Sequence, residues 1–345
     1  MQNLGGKRVF VGLSGGVDSA VSALLLQQAG AQVVGVFIKG WYPPGMPCTW
    51  ASDRQDAMRL AAHLQIPFHT LDASLEYKQG VIDYLLREYA IGRTPNPDVM
   101  CNREVKFGAF WRFAASHGAD YIATGHYAQS REGHVLRGVD ESKDQSYFLW
   151  AVPKDALTQA LFPVGGYEKE YTRRLAVAHH LPQAAKKDSQ GICFLGSISV
   201  DEFLSSEFEV STGPAVNESG TYVGQHAGAI LATLGERVAI TGTEPGPWYV
   251  HKKNMLTNTL TVSHTPRASS SVEALRLTDT NWLQDSAQTE SLVAQYRYHG
   301  PKISGTLNAA RTQFTPTDPI EEPLAPGQSL VVYCGEELLG GGSIS

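Results

Sequence analysis

Leu13-Ser14-Gly15-Gly16-Val17-Asp18-Ser19 lies between a short apolar run, residues 9–13, and an Ala- and Leu-rich run, residues 20–29. The first run reads as a buried strand and the second as a helix, with Gly30 where a helix C-terminus favours glycine. A second apolar run, residues 33–38, completes a βαβ unit, which favours a parallel sheet covered on both faces. Two glycines let a ligand approach the backbone closely and permit positive φ. The helix start behind them offers free N–H groups and the positive end of its dipole, an anion site most naturally suited to phosphate. Ser14 and Ser19 can donate hydroxyl hydrogen bonds. Asp18 is itself an anion, so it reads as a Mg²⁺ ligand or a helix cap rather than a phosphate ligand. The string is neither GxxxxGK[ST] nor GxGxxG.

The alternation continues beyond this unit. Ser52 followed by Gln55 has the spacing of a capping box, and Ala57, Leu60, Ala61 and Leu64 share one helical face behind it. Residues 67–71 predict a strand. A helix after Ser74 turns Ile82, Leu85, Leu86 and Tyr89 inward, and residues 93–97 predict a loop with two prolines. A further helix carries Phe107, Phe110, Trp111 and Ala114, and residues 121–124 predict a fourth strand ending in Gly125-His126. This half is expected to be an open α/β parallel sheet. Residues 154–187 read as polar helix. Beyond about residue 197, short Val/Thr/Leu runs between Gly, Pro and Asn turns predict small β-rich domains or a barrel. The expected division is 1–196 for the sheet domain with a helical extension, 197–257 for a small central domain, and 258–345 for a β-barrel-like domain.

The 345 residues suit two or three domains. At 42% hydrophobic and 18% charged the chain is globular rather than disordered. No apolar run approaches membrane-spanning length, and no signal-peptide stretch is present, so a cytoplasmic protein with reduced thiols and no membrane partner is expected. A net charge of −6 argues against a general nucleic-acid coat, though not against local basic patches. The cysteines at 48, 101, 193 and 334 form neither a CxxC pattern nor a disulfide framework, and no resident metal site is expected.

Cys101 stands in Asn96-Pro97-Asp98-Val99-Met100-Cys101-Asn102, just before the predicted helix. The thiolate is the nucleophile of cysteine chemistry, and a helix N-terminus lowers a thiol's pKa. Asp98, three residues earlier, is within reach for acid/base work if the segment turns. Cys193 sits in Lys187-Asp188-Ser189-Gln190-Gly191-Ile192-Cys193-Phe194, which reads as an exposed loop. On residue type alone a single cysteine is a small buried hydrophobe, and Cys48 and Cys334 keep that reading. By the same standard His126 is a turn histidine, Lys143-Asp144-Gln145 a solvated charge cluster, and Tyr147-Phe148-Leu149-Trp150 core rather than a base-stacking platform.

The loop string resembles the SGGxDS motif of the N-type ATP pyrophosphatases, which adenylate a substrate oxygen and release pyrophosphate. That resemblance implies ATP binding, with Mg²⁺, on an adenine nucleotide alpha hydrolase-like domain. It leaves the acceptor open. NPDxxCN, residues 124–127 (TGHY), residues 143–149 (KDQSYFL) and KDSQGICF together resemble the tRNA-specific 2-thiouridylase family, covering residues 9–196. That family implies ATP at Gly12, Leu13, Ser14, Gly15, Gly16, Val17, Asp18 and Ser19, with Ile38 and Gly125 nearby. It implies that the target uridine, flipped from its tRNA, meets Asn96, Pro97 and Asp98. His126, Lys143, Asp144, Gln145, Arg297, Tyr298 and Gln328 would contact tRNA. Cys193 would carry a persulfide from a sulfur-relay protein. Cys101 would free the sulfur or resolve the persulfide as a disulfide, and Asp98 would act as acid/base. No DNA partner is implied.

The last 150 residues match less closely. The family's basic central run corresponds here to residues 232–240, which hold Glu236 and no lysine, so a basic grip on tRNA is not carried over to that segment. Two other classes fit the loop. One is a PP-loop ligase acting on a small molecule, which needs no cysteine pair. The other is a nucleotide- or RNA-binding module without turnover. A third reading gives the two thiols a redox-switch role only.

Overall fold

Strand β1 (Arg8–Gly12) is the centre of a five-stranded sheet whose side chains are buried on both faces. The computed structural model describes residues 3–43, 50–187, 198–242, 245–266, 273–284, 292–320 and 322–345. Around β1 lie β2 (Gln32–Lys39), β3 (Phe68–Asp72), β4 (Tyr121–Ala123) and, much later in the chain, β7 (Ala160–Leu161). All pair in parallel in the order β3-β2-β1-β4-β7. The order reverses direction between β1 and β4, the switch at which open α/β sheets place ligands.

The pleat sorts the apolar runs into two cores. Phe10, Val34, Val36 and Ile38 face one cluster, which holds the helical residues of 74–116. Val9, Val11, Val33 and Phe37 face the other, which holds α1 (Val17–Gln28) and α2 (Trp50–His63). Burial on both faces is why these strands read as continuous apolar runs rather than alternating ones. Ala57, Leu60, Ala61 and Leu64 are buried as their spacing predicts. Ser52 is not a cap: α2 begins at Trp50, so Ser52 lies inside its first turn. Residues 154–187 are not wholly helical, since β7 interrupts them with two residues, too few to leave a periodic signal.

Beyond a helix at Val200–Glu207, closed by a Ser199/Glu202 capping box, six strands between Gly213 and Ser263 form a second sheet. Its strand Thr259–Ser263, given by sequence to the last domain, pairs with Trp248–Asn254 and Gly213–Val216 instead. Six antiparallel strands between Leu275 and Ile344 then close into a barrel, because Leu275–Trp282 pairs with both Gln313–Pro316 and Glu337–Ile344. Closure removes the exposed edges that an antiparallel sheet would otherwise present.

The barrel is fastened to the sheet domain. A hairpin of β5 (Ala128–Arg131) and β6 (His134–Arg137) joins the barrel's last strand through Leu136 and Glu337. Asn281 donates to the carbonyls of Trp150 and Val152 at 2.7 and 2.9 Å. Trp150 rests on Gly341, where an added Cβ would come 2.4 Å from the Leu330 carbonyl. The core reading of residues 147–150 holds for Tyr147, Leu149 and Trp150, all buried, while Phe148 is half-buried.

Candidate active site

The phosphate loop is built from backbone. Leu13 donates its N–H to the Val36 carbonyl at 2.8 Å, which ties the loop to β2. Ser14 and Ser19 lie 3.3 Å apart through their hydroxyls, and Ser19 Oγ donates to the Gly16 carbonyl at 3.0 Å. Gly15 has φ +77°, and a Cβ there would stand 2.8 Å from the Asp53 carbonyl of α2. Gly16 caps α1 without any side-chain acceptor, so no capping side chain takes the first N–H groups of the helix, an arrangement that suits an anion. Gly125 closes against this start: a Cβ would lie 2.7 Å from the Ser19 nitrogen. Ile38 is buried at the end of β2, and a Cβ on Gly12 would come 3.7 Å from it. The structure thus brings Gly12, residues 13–19, Ile38 and Gly125 together.

Asp18 does not cap the helix. Lys169 Nζ is 2.8 Å from each of its oxygens, and the Tyr127 hydroxyl donates to it at 2.9 Å. Lys169 is the residue sequence reading missed. It stands 151 positions from its partner in a polar helix, and no motif marks it.

The NPD segment forms a short helix, Pro97–Met100, with Asn96 as its cap: Asn96 Oδ1 accepts from the Asp98 and Val99 N–H groups at 3.1 and 3.3 Å. Pro97 takes the first helical position, where its missing N–H costs nothing. The helix therefore begins before Cys101 and runs on through wider π-type turns at Cys101–Ala109. Cys101 is not at a helix start, as expected from sequence, but a turn inside, and it is only 1% exposed. The segment does turn, so Asp98 and Cys101 share a face at i, i+3. Cys193 and Cys48 lie outside the described residues, and Cys334 sits in a barrel strand.

His126 is 7% exposed, with Nδ1 2.6 Å from Thr124 Oγ1. Burial, joined by the nearby charge of Lys106, holds its pKa well below the ordinary 6.5. Its ring stands 5.8 Å from Phe107, which connects the end of β4 to the helix that holds Cys101. The next residue, Tyr127, exchanges hydrogen bonds with Gln145 at 2.8 and 3.1 Å.

Asp144 is buried rather than solvated, at 8% exposure. It accepts from the Gly138 and Ser146 N–H groups, from Ser146 Oγ, and from Arg137 at 3.2 Å. Arg137 lies 3.5 Å over the Tyr333 ring and also donates to Gln295 of the barrel. Lys143 is half-buried on the same turn. Tyr298 approaches from the barrel, its ring 4.5 Å from Phe148. Burial, then the carboxylates of Asp144, Asp140 and Asp98, push its hydroxyl up to about 12. Residues from the NPD segment and from the stretch 140–148 thus act on one aromatic. A cavity of about 160 Å³ lies there, lined by Arg137, Glu141, Asp144, Tyr298, His299 and Lys302 among others. Arg297 is held by Glu322 at 3.3 Å and by the Pro323 carbonyl at 2.9 Å. Gln328 Oε1 accepts from the Ala325 N–H at 3.0 Å, closing a turn at the barrel edge.

Among the described residues no group of three or more His, Cys, Asp or Glu side chains could cage a metal, and no helix is long and apolar enough to cross a membrane.

Three families match along the chain: one described as a tRNA methyl transferase HUP domain at residues 7–197, one as a tRNA methyl transferase PRC-barrel domain at 201–264, and one as an aminomethyltransferase beta-barrel domain at 272–344. The chain is 41% identical to a protein of Oceanobacillus iheyensis named tRNA-specific 2-thiouridylase MnmA, covering 100% of this chain and 96% of that one. It is 42% identical to a protein of the same name from Yersinia enterocolitica, covering 98% and 95%. A 4-thiouridine synthetase solved as an RNA complex with bound ATP is similar over 59% of this chain and 50% of its own, at 16% identity and a TM-score of 0.36, too distant to bear on function.

Proposed function

Because the chain belongs to the tRNA-specific 2-thiouridylase family, we propose that it thiolates a uridine of tRNA at the expense of ATP. The matched domain descriptions speak of methyl transfer and the full-length relatives of thiolation. The chemistry of the site decides for the second. A strand–SGGxDS–helix loop with an uncapped helix start is an anion cradle suited to triphosphate, and thiolation uses one to activate an oxygen.

ATP rests on residues 12–19, with Ile38 and Gly125 around the nucleotide. The C2 oxygen of the wobble uridine attacks the α-phosphorus, pyrophosphate leaves, and the base carries AMP on that oxygen. A persulfide on Cys193, loaded by a relay protein, adds its terminal sulfur at C2 as AMP departs. Cys101 then attacks the Cys193 sulfur, which leaves a Cys101–Cys193 disulfide and frees the thiolated base. Two equivalents of an external thiol, leaving as their own disulfide, reduce the bond and restore the pair. Asp98, on the Cys101 face of the helix, handles the proton. Asn96 serves first as a cap, so its contribution to the base comes through the helix it starts. Mg²⁺ arrives with the triphosphate, since magnesium keeps several waters and needs only one or two carboxylates. The tRNA backbone meets Lys143, Arg297, Tyr298 and Gln328, and the family places His126 at the tRNA as well. A cytoplasmic location follows from the substrate.

The observation that supports this most directly is the contact of His126 with Phe107, which joins the end of β4, where Gly125 packs on the nucleotide loop, to the cysteine helix. A buried Cys101 means that substrate must open the pocket before sulfur moves. The test is thiolation of tRNA with ATP, Mg²⁺ and a persulfide donor. Cys193→Ser and Cys101→Ser should each lower turnover by at least about a hundredfold while pyrophosphate release persists. No thiolated product from the native chain, or full activity in Cys193→Ser, rejects the reading.

A further inference from the structure

Lys169 begins the helix Lys169–Ala178, where its backbone N–H donates to Asp140 Oδ2 at 3.0 Å. Its side chain then runs to the phosphate loop, where both oxygens of Asp18 are within 2.8 Å. It is 8% exposed, and its ammonium passes 5.5 Å over the Tyr127 ring, whose hydroxyl holds the same carboxylate. The helix start and the Tyr127 hydroxyl together fix where the ammonium stands.

Asp18 sits in the first turn of α1, beside the N–H groups that await an anion. An uncompensated carboxylate there would repel a triphosphate, and in a part-buried setting that repulsion is only weakly screened. A carboxylate clasped through both oxygens is neutralised and locked in one rotamer. The N–H groups and the helix dipole are then left to attract phosphate. We infer that Lys169 is a positioning residue of the nucleotide site, acting through Asp18 to cancel and fix the loop's one negative charge. The inference rests on the ATP reading above.

The experiment is a double-mutant cycle on the full chain, reading MgATP affinity by calorimetry, KM and kcat for tRNA-stimulated pyrophosphate release, and the melting temperature. Lys169→Met should weaken ATP by about tenfold, the size of one lost charge-assisted hydrogen bond. KM for tRNA should not move, and Lys169→Arg should recover part of the loss. In the Asp18→Asn background the same Lys169→Met change should cost less than about twofold, because no charge remains to cancel. An equal cost in both backgrounds overturns the assignment, as does a Lys169→Met chain that melts earlier yet binds ATP normally. If Lys169→Met alone does not fold, the comparison of Asp18→Asn with the double variant still decides, since a large further loss of ATP affinity would overturn it. A native chain that binds no ATP overturns the proposed function and this assignment together, whereas normal native binding with unchanged variants overturns this assignment alone.

Discussion

The phosphate loop and the junction between sheet domain and barrel are both polar, yet they are built by opposite means. The loop presents backbone N–H groups of consecutive residues, with glycines at the points of closest approach. The junction works through side chains drawn from distant positions: Arg137 reaches Gln295, and Ser146 Oγ lies 3.1 Å from the Tyr333 hydroxyl, 187 residues away. The first is read from a short string. In the second, the same kind of string misleads. Lys143-Asp144-Gln145 looks like a solvated cluster, but Asp144 is the buried hub of the junction and Gln145 is bonded to Tyr127.

The sharpest way to break this contrast is at Asp144. Asp144→Ala would leave Arg137 buried without its carboxylate, and removing one partner of a buried pair costs about 3–5 kcal/mol. Denaturant unfolding should show that loss. Normal stability with weakened tRNA binding would instead make Asp144 a substrate contact.

Gly15→Ala tests the other side. It places a Cβ 2.8 Å from the Asp53 carbonyl at a φ of +77°, where left-handed backbone costs an L residue about 1–2 kcal/mol. ATP affinity should fall about tenfold, with tRNA affinity unchanged. Equal loss for both ligands would show that the loop serves the whole fold rather than the nucleotide.

Smaller effects separate the tRNA residues. Lys143→Ala should flatten the dependence of log tRNA affinity on log salt by about one unit, the loss of one phosphate contact. Arg297→Ala should flatten it less, because Glu322 and the Pro323 carbonyl already hold that guanidinium. Salt titrations of both variants with unchanged slopes would remove them from the interface.

The smallest effect is in pH. An imidazole whose folded pKa lies below 6.5 binds fewer protons when folded. Its contribution to stability is therefore complete above that value and is lost as pH falls toward the folded pKa. His126→Gln should make the melting temperature decline less steeply below pH 6.5 than in the native chain. Parallel curves would mean that His126 is solvated in the working protein.

Much of the sheet domain was legible. Val9, Val11, Val33 and Phe37 are buried, as continuous apolar runs in a doubly covered sheet should be. Gly15 and Gly125 stand where other backbone comes too close for a Cβ, the Asp53 carbonyl at one and the Ser19 nitrogen at the other. The capping box at Ser52 failed because α2 starts two residues earlier, and a four-residue signature cannot fix a helix boundary that packing sets. Cys101 was placed at a helix start because the prolines before it read as loop. Yet Pro97 suits a first helical position as well as it suits a loop, and the Asn96 cap settled which.

By itself, the sequence determined the parallel sheet, the glycine loop before its first helix and the β-rich second half, because each rests on local features: continuous apolar runs, two glycines before a helix, and turn residues between short strands. The tertiary structure alone decided that β7 completes the sheet, that Thr259–Ser263 belongs to the middle sheet, and that Asp144 faces inward. It alone delivered Lys169 to Asp18. Those facts depend on pairings across as many as 151 positions. Such pairings are set by which buried charges and strand edges find partners when the domains close, and a window of neighbouring residues holds no record of that choice.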